Sequence, residues 1–474
     1  MKNLIKDGTL ESYLGSLREA NQDYLRDRPG PRSERQPVHT VYGGAQLFKA
    51  DLAPKMGRAA LRHMEAYAGD YLVFARAFGL PGSAALPIHG QWYRDLLEHP
   101  PSALENRPAW LAHAVYQRVV DKLAQEPVED FRIDFEDGFG VRPVQEEHAE
   151  AARTAREVAL GMRDGTLPPF IGIRIKALND EYAGRSLSTL NRFFSTLLDG
   201  TGGTLPPDIV VTLPKITHVE QVRVASESLE LIECEAGLPR YSIGLELMVE
   251  TAVSIFGTDG RTPLPEWVTA ARGRCTAAHF GVYDYTAGLD ITAAEQTMTH
   301  PACDFARHMM QVSLAGTGVW LSDGATNIMP VAPHRGESLT DGQRAQNAGA
   351  VHRAWQLGFS DNTHSLKHAF YQGWDLHPAQ LPARYAAVYA FFLDGFDAAA
   401  TRLRAFVDKA AQASLVGDVF DDAATGQGLL NYFLRAINCG AITEEEARQT
   451  GLQTEEIRLR SFARILETRA KRGE

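Results

Sequence analysis

Eight short β-rich runs, each handing over to a helical stretch, leave this chain few ways to fold. They are His39–Tyr42, Phe131–Glu136, Phe170–Ile175, Asp208–Leu213, Tyr241–Val249, Ala277–Val282, Val319–Leu321 and Gly373–Leu376. Repeated βα units imply parallel strands, and eight of them point to an α/β fold closed as a TIM (β/α)8 barrel. An open doubly wound sheet is the rival, but no Gly-x-Gly-x-x-Gly follows an early strand to support it. The 474 residues divide around this repeat. Residues 1–37 form an arm whose helix, Leu10 to Leu25, is stopped by Arg28-Pro29-Gly30-Pro31-Arg32. Residues 38–385 carry the barrel, with a helical insertion over about 66–127 after the first strand. There, Ser102 and Glu105 have capping-box spacing ahead of a helix from Trp110 to Leu123. Residues 386–474 read as an appended helical domain, helices only, broken near Gly417 and Gly440.

The second run is the most informative. Phe131, Ile133 and Phe135 alternate with Arg132, Asp134 and Glu136, the period of two of a strand with one apolar and one charged side. Asp137, Gly138, Phe139 and Gly140 then turn the chain toward a helix from Arg142 to Arg163, so the acids sit at a strand's carboxyl end, where such sheets bind ligands. Other strand ends also carry ionisable residues: Arg174, Lys215, Glu250, Asp284 and Asp323. Singly, each acid would serve as a rim salt bridge, whereas together they describe one rim on which acids and two cations converge. Oxygen donors without a histidine cluster suit magnesium, or manganese in its place, better than zinc. Such an ion chelates a 2-oxo acid and polarises its carbonyl, and Arg174 would hold the carboxylate bidentately.

Composition narrows the partners. A formal net charge of −11 argues against nucleic acid or an anionic membrane, which need a basic face. Hydrophobic residues at 44% and charged residues at 23% are ordinary for a globular protein. Cys234, Cys275, Cys303 and Cys439 are scattered and make no zinc spacing. The N-terminus turns polar too early for a signal peptide and no apolar run spans a membrane, so a cytoplasmic protein is expected.

Asp134-Phe135-Glu136-Asp137-Gly138, Ile173-Arg174-Ile175, Leu213-Pro214-Lys215, Val249-Glu250-Thr251-Ala252, Gly281-Val282-Tyr283-Asp284-Tyr285 and His377-Pro378-Ala379-Gln380 follow one another in the order found in the citrate lyase beta subunit and its relatives. Over roughly residues 38–385, outside the insertion, the chain resembles this branch of the HpcH/HpaI aldolase family, grouped with malate synthases among the phosphoenolpyruvate/pyruvate barrels. The resemblance implies a magnesium-dependent carbon–carbon lyase or condensing enzyme acting on glyoxylate, pyruvate or oxaloacetate, or on an acyl-CoA adduct. It makes Glu250 and Asp284 the metal ligands and Arg174 the carboxylate-binding residue. Glu136 and Asp137 would support the metal's water shell, Gly43 and Gly44 would lie against substrate, and Lys215 and His377 would shape the site. His377 has an equal alternative role in fixing the turn before a helix. Gly138 stands where the aldolase branch usually has a histidine, as in the citrate lyase and malate synthase branch. There, an aspartate from a C-terminal segment, sometimes a neighbouring subunit's, deprotonates a thioester. Asp422 stands in such a segment, and this arrangement implies a homo-oligomer. Nothing in the sequence identifies a coenzyme A pocket, so a CoA thioester as co-substrate rests on kinship. The alternatives are a metal-dependent 2-oxo-acid aldolase without CoA, a Schiff-base enzyme using Lys215 or Lys176, and a non-catalytic binding or regulatory barrel.

Overall fold

The computed structural model describes residues 7–30, 32, 34–336, 338–409, 414–416, 419–421 and 423–472. Eight parallel strands occur where the sequence places them: β1 (His39–Gly44), β2 (Asp130–Asp134), β3 (Phe170–Arg174), β4 (Val210–Leu213), β5 (Gly244–Val249), β6 (Cys275–Phe280), β7 (Trp320–Ser322) and β8 (Gly373–Asp375). Their order is β7-β6-β5-β4-β3-β2-β1-β8. A parallel bridge between Ser322 and Gln372 joins the two ends of this sheet. Hydrogen bonds from Asp323 N to Gln372 O (2.8 Å) and from Trp374 N to Gly324 O (3.0 Å) reinforce it, so the sheet closes into a TIM-like barrel.

The two-sided pattern of β2 is explained by this closure. Phe131, Ile133 and Phe135 face the surrounding helices, where Phe131 meets Phe48 at 5.5 Å between ring centroids. Asp130 and Arg132 reach across the lumen instead, and both faces are buried. Arg132 donates through Nε to Glu246 Oε2 on β5 (2.8 Å), while Thr40 Oγ1 on β1 donates to Asp130 Oδ2 (2.7 Å). His279 Nδ1 accepts from Trp374 Nε1 (3.2 Å), which can only donate, so the neutral ring turns its Nε2–H toward Glu246 at 3.4 Å. Charges that would be ruinous alone are thus paired inside the barrel.

The β1–β2 connection holds helices Leu52–Tyr67, Tyr71–Phe78, Gln91–Glu98 and Arg107–Gln125. Ser102 and Glu105 do not cap the last of them. They close a turn of their own (Ser102 N to Glu105 Oε2, 2.8 Å), and Asn106 Oδ1 takes the capping bond from Ala109 N (3.1 Å). The stretch read as helices only also contains a short antiparallel pair, Ser414–Val416 with Val419–Asp421. Its Val416, Val419 and Phe420 favour extended chain over helix. Helix Leu381–Asp408 packs against Arg107–Gln125 and Asp341–Lys367. Near its start, Arg384 Nε donates to Asp375 Oδ2 (3.1 Å), which also accepts from His39 Nδ1 (2.7 Å), so a helix, β8 and β1 are tied at one carboxylate. All four cysteines are free thiols. Among the described residues, no helix is long and apolar enough to cross a membrane.

Candidate active site

At the carboxyl rim the chain builds outward from Asp134. Its Oδ1 accepts from Glu136 N (2.9 Å) and its Oδ2 from Gly138 N (2.7 Å), folding the acidic turn back over the end of β2. The same two oxygens take Arg174 Nε (2.8 Å) and Nη2 (2.6 Å) from the register partner on β3. The bidentate face expected to meet a substrate carboxylate is therefore engaged by Asp134. Only Nη1 points onward, 3.2 Å from Glu136 Oε2 and 3.8 Å from Asp137 Oδ2.

Lys215 is the hub. Its ammonium lies 3.0 Å from Glu136 Oε1, 3.3 Å from Asp137 Oδ2 and 3.1 Å from Asp284 Oδ2. Its backbone N–H donates to Glu250 Oε1 at 2.6 Å. The residue sits at φ +50°, a left-handed conformation that side-chain-bearing residues avoid. That turn carries both the N–H and the side chain onto the rim. Glu136, Asp137, Glu250, Asp284, Arg174 and Lys215 are thus brought together from β2, β3, β4, β5 and the helix Val282–Gly288 after β6. Glu250 Oε2 is buried without a hydrogen-bond partner among the described residues.

The electrostatics follow from crowding. Burial, with the nearby charges of Asp284 and Glu136, pushes Glu250 up to about 8 against the pull of Lys215. Burial and the charge of Asp137 push Glu136 up to about 7 in spite of Arg174 and Lys215. For Asp137 burial acts the same way, but Arg174 and Lys215 outweigh it and hold the group below the usual carboxylate range. Burial would lower Lys215, yet Glu250, Glu136, Asp137 and Asp284 together raise it above the usual lysine value. An all-oxygen donor set around a buried, unpartnered carboxylate oxygen fits a hard divalent cation, and the Lys215 ammonium marks where positive charge is wanted.

Other expected residues have structural duties. A Cβ on Gly43 would fall 2.6 Å from the Phe131 ring, and one on Gly44 would fall 2.1 Å from the Gly138 carbonyl, so packing explains both glycines. His377 Nδ1 accepts from Ala379 N (3.1 Å) and Gln380 Oε1 from Leu376 N (2.8 Å), capping the turn before helix Leu381–Asp408. Asp323 is wholly buried and held by Arg307 (2.9 Å) and Ser365 (2.5 Å), away from the cluster. Lys176 is buried beneath the rim, donates to Gly140 O (3.0 Å), and is lowered mainly by burial. Asp422 lies outside the described residues. A cavity of about 490 Å³ opens at the opposite, amino-terminal mouth, with Asp130, Arg132 and Glu246 in its lining. Arg132 already pairs with both carboxylates there, so the rim is the better seat for chemistry. Two residues carry more than the sequence reading gave them: Asp134, as organiser of the turn, and Lys215, as the centre.

The family model described as Domain of unknown function (DUF6986) matches residues 17–465. The chain belongs to the DUF6986 family. No curated protein matches it in sequence. Among solved structures, this DUF6986 chain is similar to a citrate lyase from Burkholderia xenovorans LB400, at 18% identity and a TM-score of 0.50, over 71% of this chain and 92% of that one. It is also similar to a Haloferax volcanii malate synthase solved as a pyruvate/acetyl-CoA ternary complex, at 14% identity and a TM-score of 0.42, over 75% and 93% of the two chains. At 18% identity the likeness to the citrate lyase is one of fold.

Proposed function

We propose that this protein is a magnesium-dependent carbon–carbon lyase or condensing enzyme acting on a small 2-oxo acid or its acyl-CoA adduct, of the citrate lyase beta and malate synthase kind. One observation carries the reading: three carboxylates surround the Lys215 ammonium, a fourth, Glu250, accepts from the same residue's backbone N–H, and Glu250 keeps a buried oxygen with no partner among the described residues. The ordered motifs of the sequence support it.

Glu250 and Asp284 would hold the ion, with manganese as a substitute, and Glu136 and Asp137 would anchor its water or receive Lys215. When bound, the ion would supply Lewis acidity toward the carbonyl of a 2-oxo acid. Arg174, its fork fixed by Asp134, offers Nη1 to the substrate carboxylate. Lys215 adds positive charge beside the developing oxyanion. Its carboxylate ring keeps it protonated, which speaks against the Schiff-base alternative.

The test is to incubate tag-free protein with magnesium, each small 2-oxo acid, and acetyl- or propionyl-CoA, and to search by mass spectrometry for an adduct or free thiol. Turnover should vanish with chelator and in Asp284→Asn. Consumption of a 2-oxo acid without thioester would select the aldolase alternative, and turnover undiminished by chelation would overturn the proposal.

A further inference from the structure

Away from the rim, helices Pro301–Leu314 and Asp341–Lys367 share a group of side chains that the proposed chemistry does not use. Asp304 and His308 are four residues apart on the first, and His364 and the C-cap residue His368 are four apart on the second. That spacing puts each pair on one face of its helix. The packing turns the faces together: one ligand atom each from Asp304, His364 and His368 all lie within 4.8 Å of one another. The rings of His364 and His368 are 4.2 Å apart, and that of His308 is 5.8 Å from His368.

Hydrogen bonding prepares these atoms for coordination. His368 Nδ1 lies 2.9 Å from the His364 carbonyl, which can only accept. Nδ1 therefore carries a proton, which leaves Nε2 as the ring atom available to an ion, the arrangement in which a ligating histidine is held by a backbone carbonyl behind it. Asp304 is steadied by Arg307 Nη1 (2.8 Å), and Arg307 is fixed in turn by Asp323 and the Met298 carbonyl. His364 Nε2 donates to Asp304 Oδ1 across 2.8 Å, so an ion bound between them would take the place of that proton. All three side chains are half-buried, so an ion can enter without the helices parting.

We propose that Asp304, His364 and His368 form a binding site for one borderline transition-metal ion of the Zn²⁺ kind, clamping helix Pro301–Leu314 to helix Asp341–Lys367. Two imidazoles and one carboxylate select such an ion over magnesium, which prefers the oxygen-only rim. Three protein ligands leave a position for water or for the exposed His308. The site does not depend on the function proposed for the rim.

Tag-free, full-length protein is stripped with chelator, held at pH 7.5 in excess Mg²⁺, and titrated with Co²⁺ as a spectroscopic probe and Zn²⁺ as competitor. One Co²⁺ per chain should bind with ligand-field absorption bands that Zn²⁺ abolishes, and Zn²⁺ should raise the melting temperature. His364→Gln with His368→Gln should weaken Co²⁺ binding at least 100-fold, and the near-isosteric Asp304→Asn at least 10-fold, with the far-ultraviolet circular dichroism unchanged. Asp284→Asn at the rim should leave Co²⁺ binding intact. Undiminished Co²⁺ binding in both the double variant and Asp304→Asn, or its loss in Asp284→Asn, would overturn the assignment.

Discussion

Glu250 brings burial and charge to bear on a single residue. Its folded value, about 8, lies above the ordinary 4.5, so below about pH 4.5 the group is protonated in both states and its contribution to stability is fully present. As pH rises past that point the unfolded chain ionises first, and stability drains away until the folded group ionises near 8. In metal-free protein the unfolding free energy should therefore fall between pH 5 and 8, on the order of 3 kcal/mol. Carboxylates held low, such as Asp375 at about 2, complete their titration below this window. Glu250→Gln should make the decline shallower, leaving the part that Glu136, raised to about 7, supplies in the same window, as read from urea midpoints at several pH values. Lys215 makes the complementary case. Lys215→Met leaves Glu136, Asp137 and Asp284 facing one another, and with the side chain one-third exposed the loss should be about 1–3 kcal/mol without metal. Magnesium should restore more melting temperature in this variant than in the parent. These residues were legible in the sequence because each stands at a strand end. Their partners were not, because a guanidinium's choice between Asp134 and a substrate is settled by the β2–β3 register, which no local pattern reveals.

Among the elements, the strands were the most legible, since alternation and βα recurrence are local consequences of burial. Boundaries moved by a residue or three where tertiary contacts decide pairing, as when Tyr241 and Ser242 stay outside β5. The cap at Asn106 was missed because Ser102 and Glu105 satisfy the same spacing rule one turn early, and the pair at Ser414–Asp421 because helical stretches flank it. Gly281 shows how an element's start positions a site. It precedes helix Val282–Gly288, and a Cβ there would lie 2.5 Å from both Glu250 Cβ and Oε2. Gly281→Ala must displace either the carboxylate or the helix carrying Asp284. The expected result is a stability loss of about 1–3 kcal/mol and magnesium affinity, measured by calorimetry, at least 10-fold weaker. Gly288→Ala, at the far end of the same helix with nothing within 4 Å, should change stability by no more than about 0.5 kcal/mol.

The molecule as a whole depends on closing the barrel, and closure is thinnest around β8. Three residues of β8 pair with β1, and a single bridge with its neighbouring hydrogen bonds reaches β7. What the short ladder lacks is supplied by Asp375, whose carboxylate is shared by His39 of β1 and Arg384 of the helix Leu381–Asp408. His39 also accepts from Glu129 N (3.0 Å) beside β2, so the tie extends along the strand order. Asp375→Ala would leave a buried guanidinium and a buried imidazole N–H without their acceptor, and removing one partner of a buried pair costs about 3–5 kcal/mol. Because the seam joins the first strand to the last, the loss should appear as one cooperative shift of the urea midpoint, reported alike by far-ultraviolet circular dichroism and tryptophan fluorescence. The rim side chains come from β2, β3, β4, β5 and helix Val282–Gly288, and none of them hydrogen-bonds Asp375, His39 or Arg384 among the described residues, so the fraction still folded should bind magnesium with parental affinity. A variant that lost magnesium affinity while keeping its urea midpoint would mean that Asp375 acts on the site and not on closure.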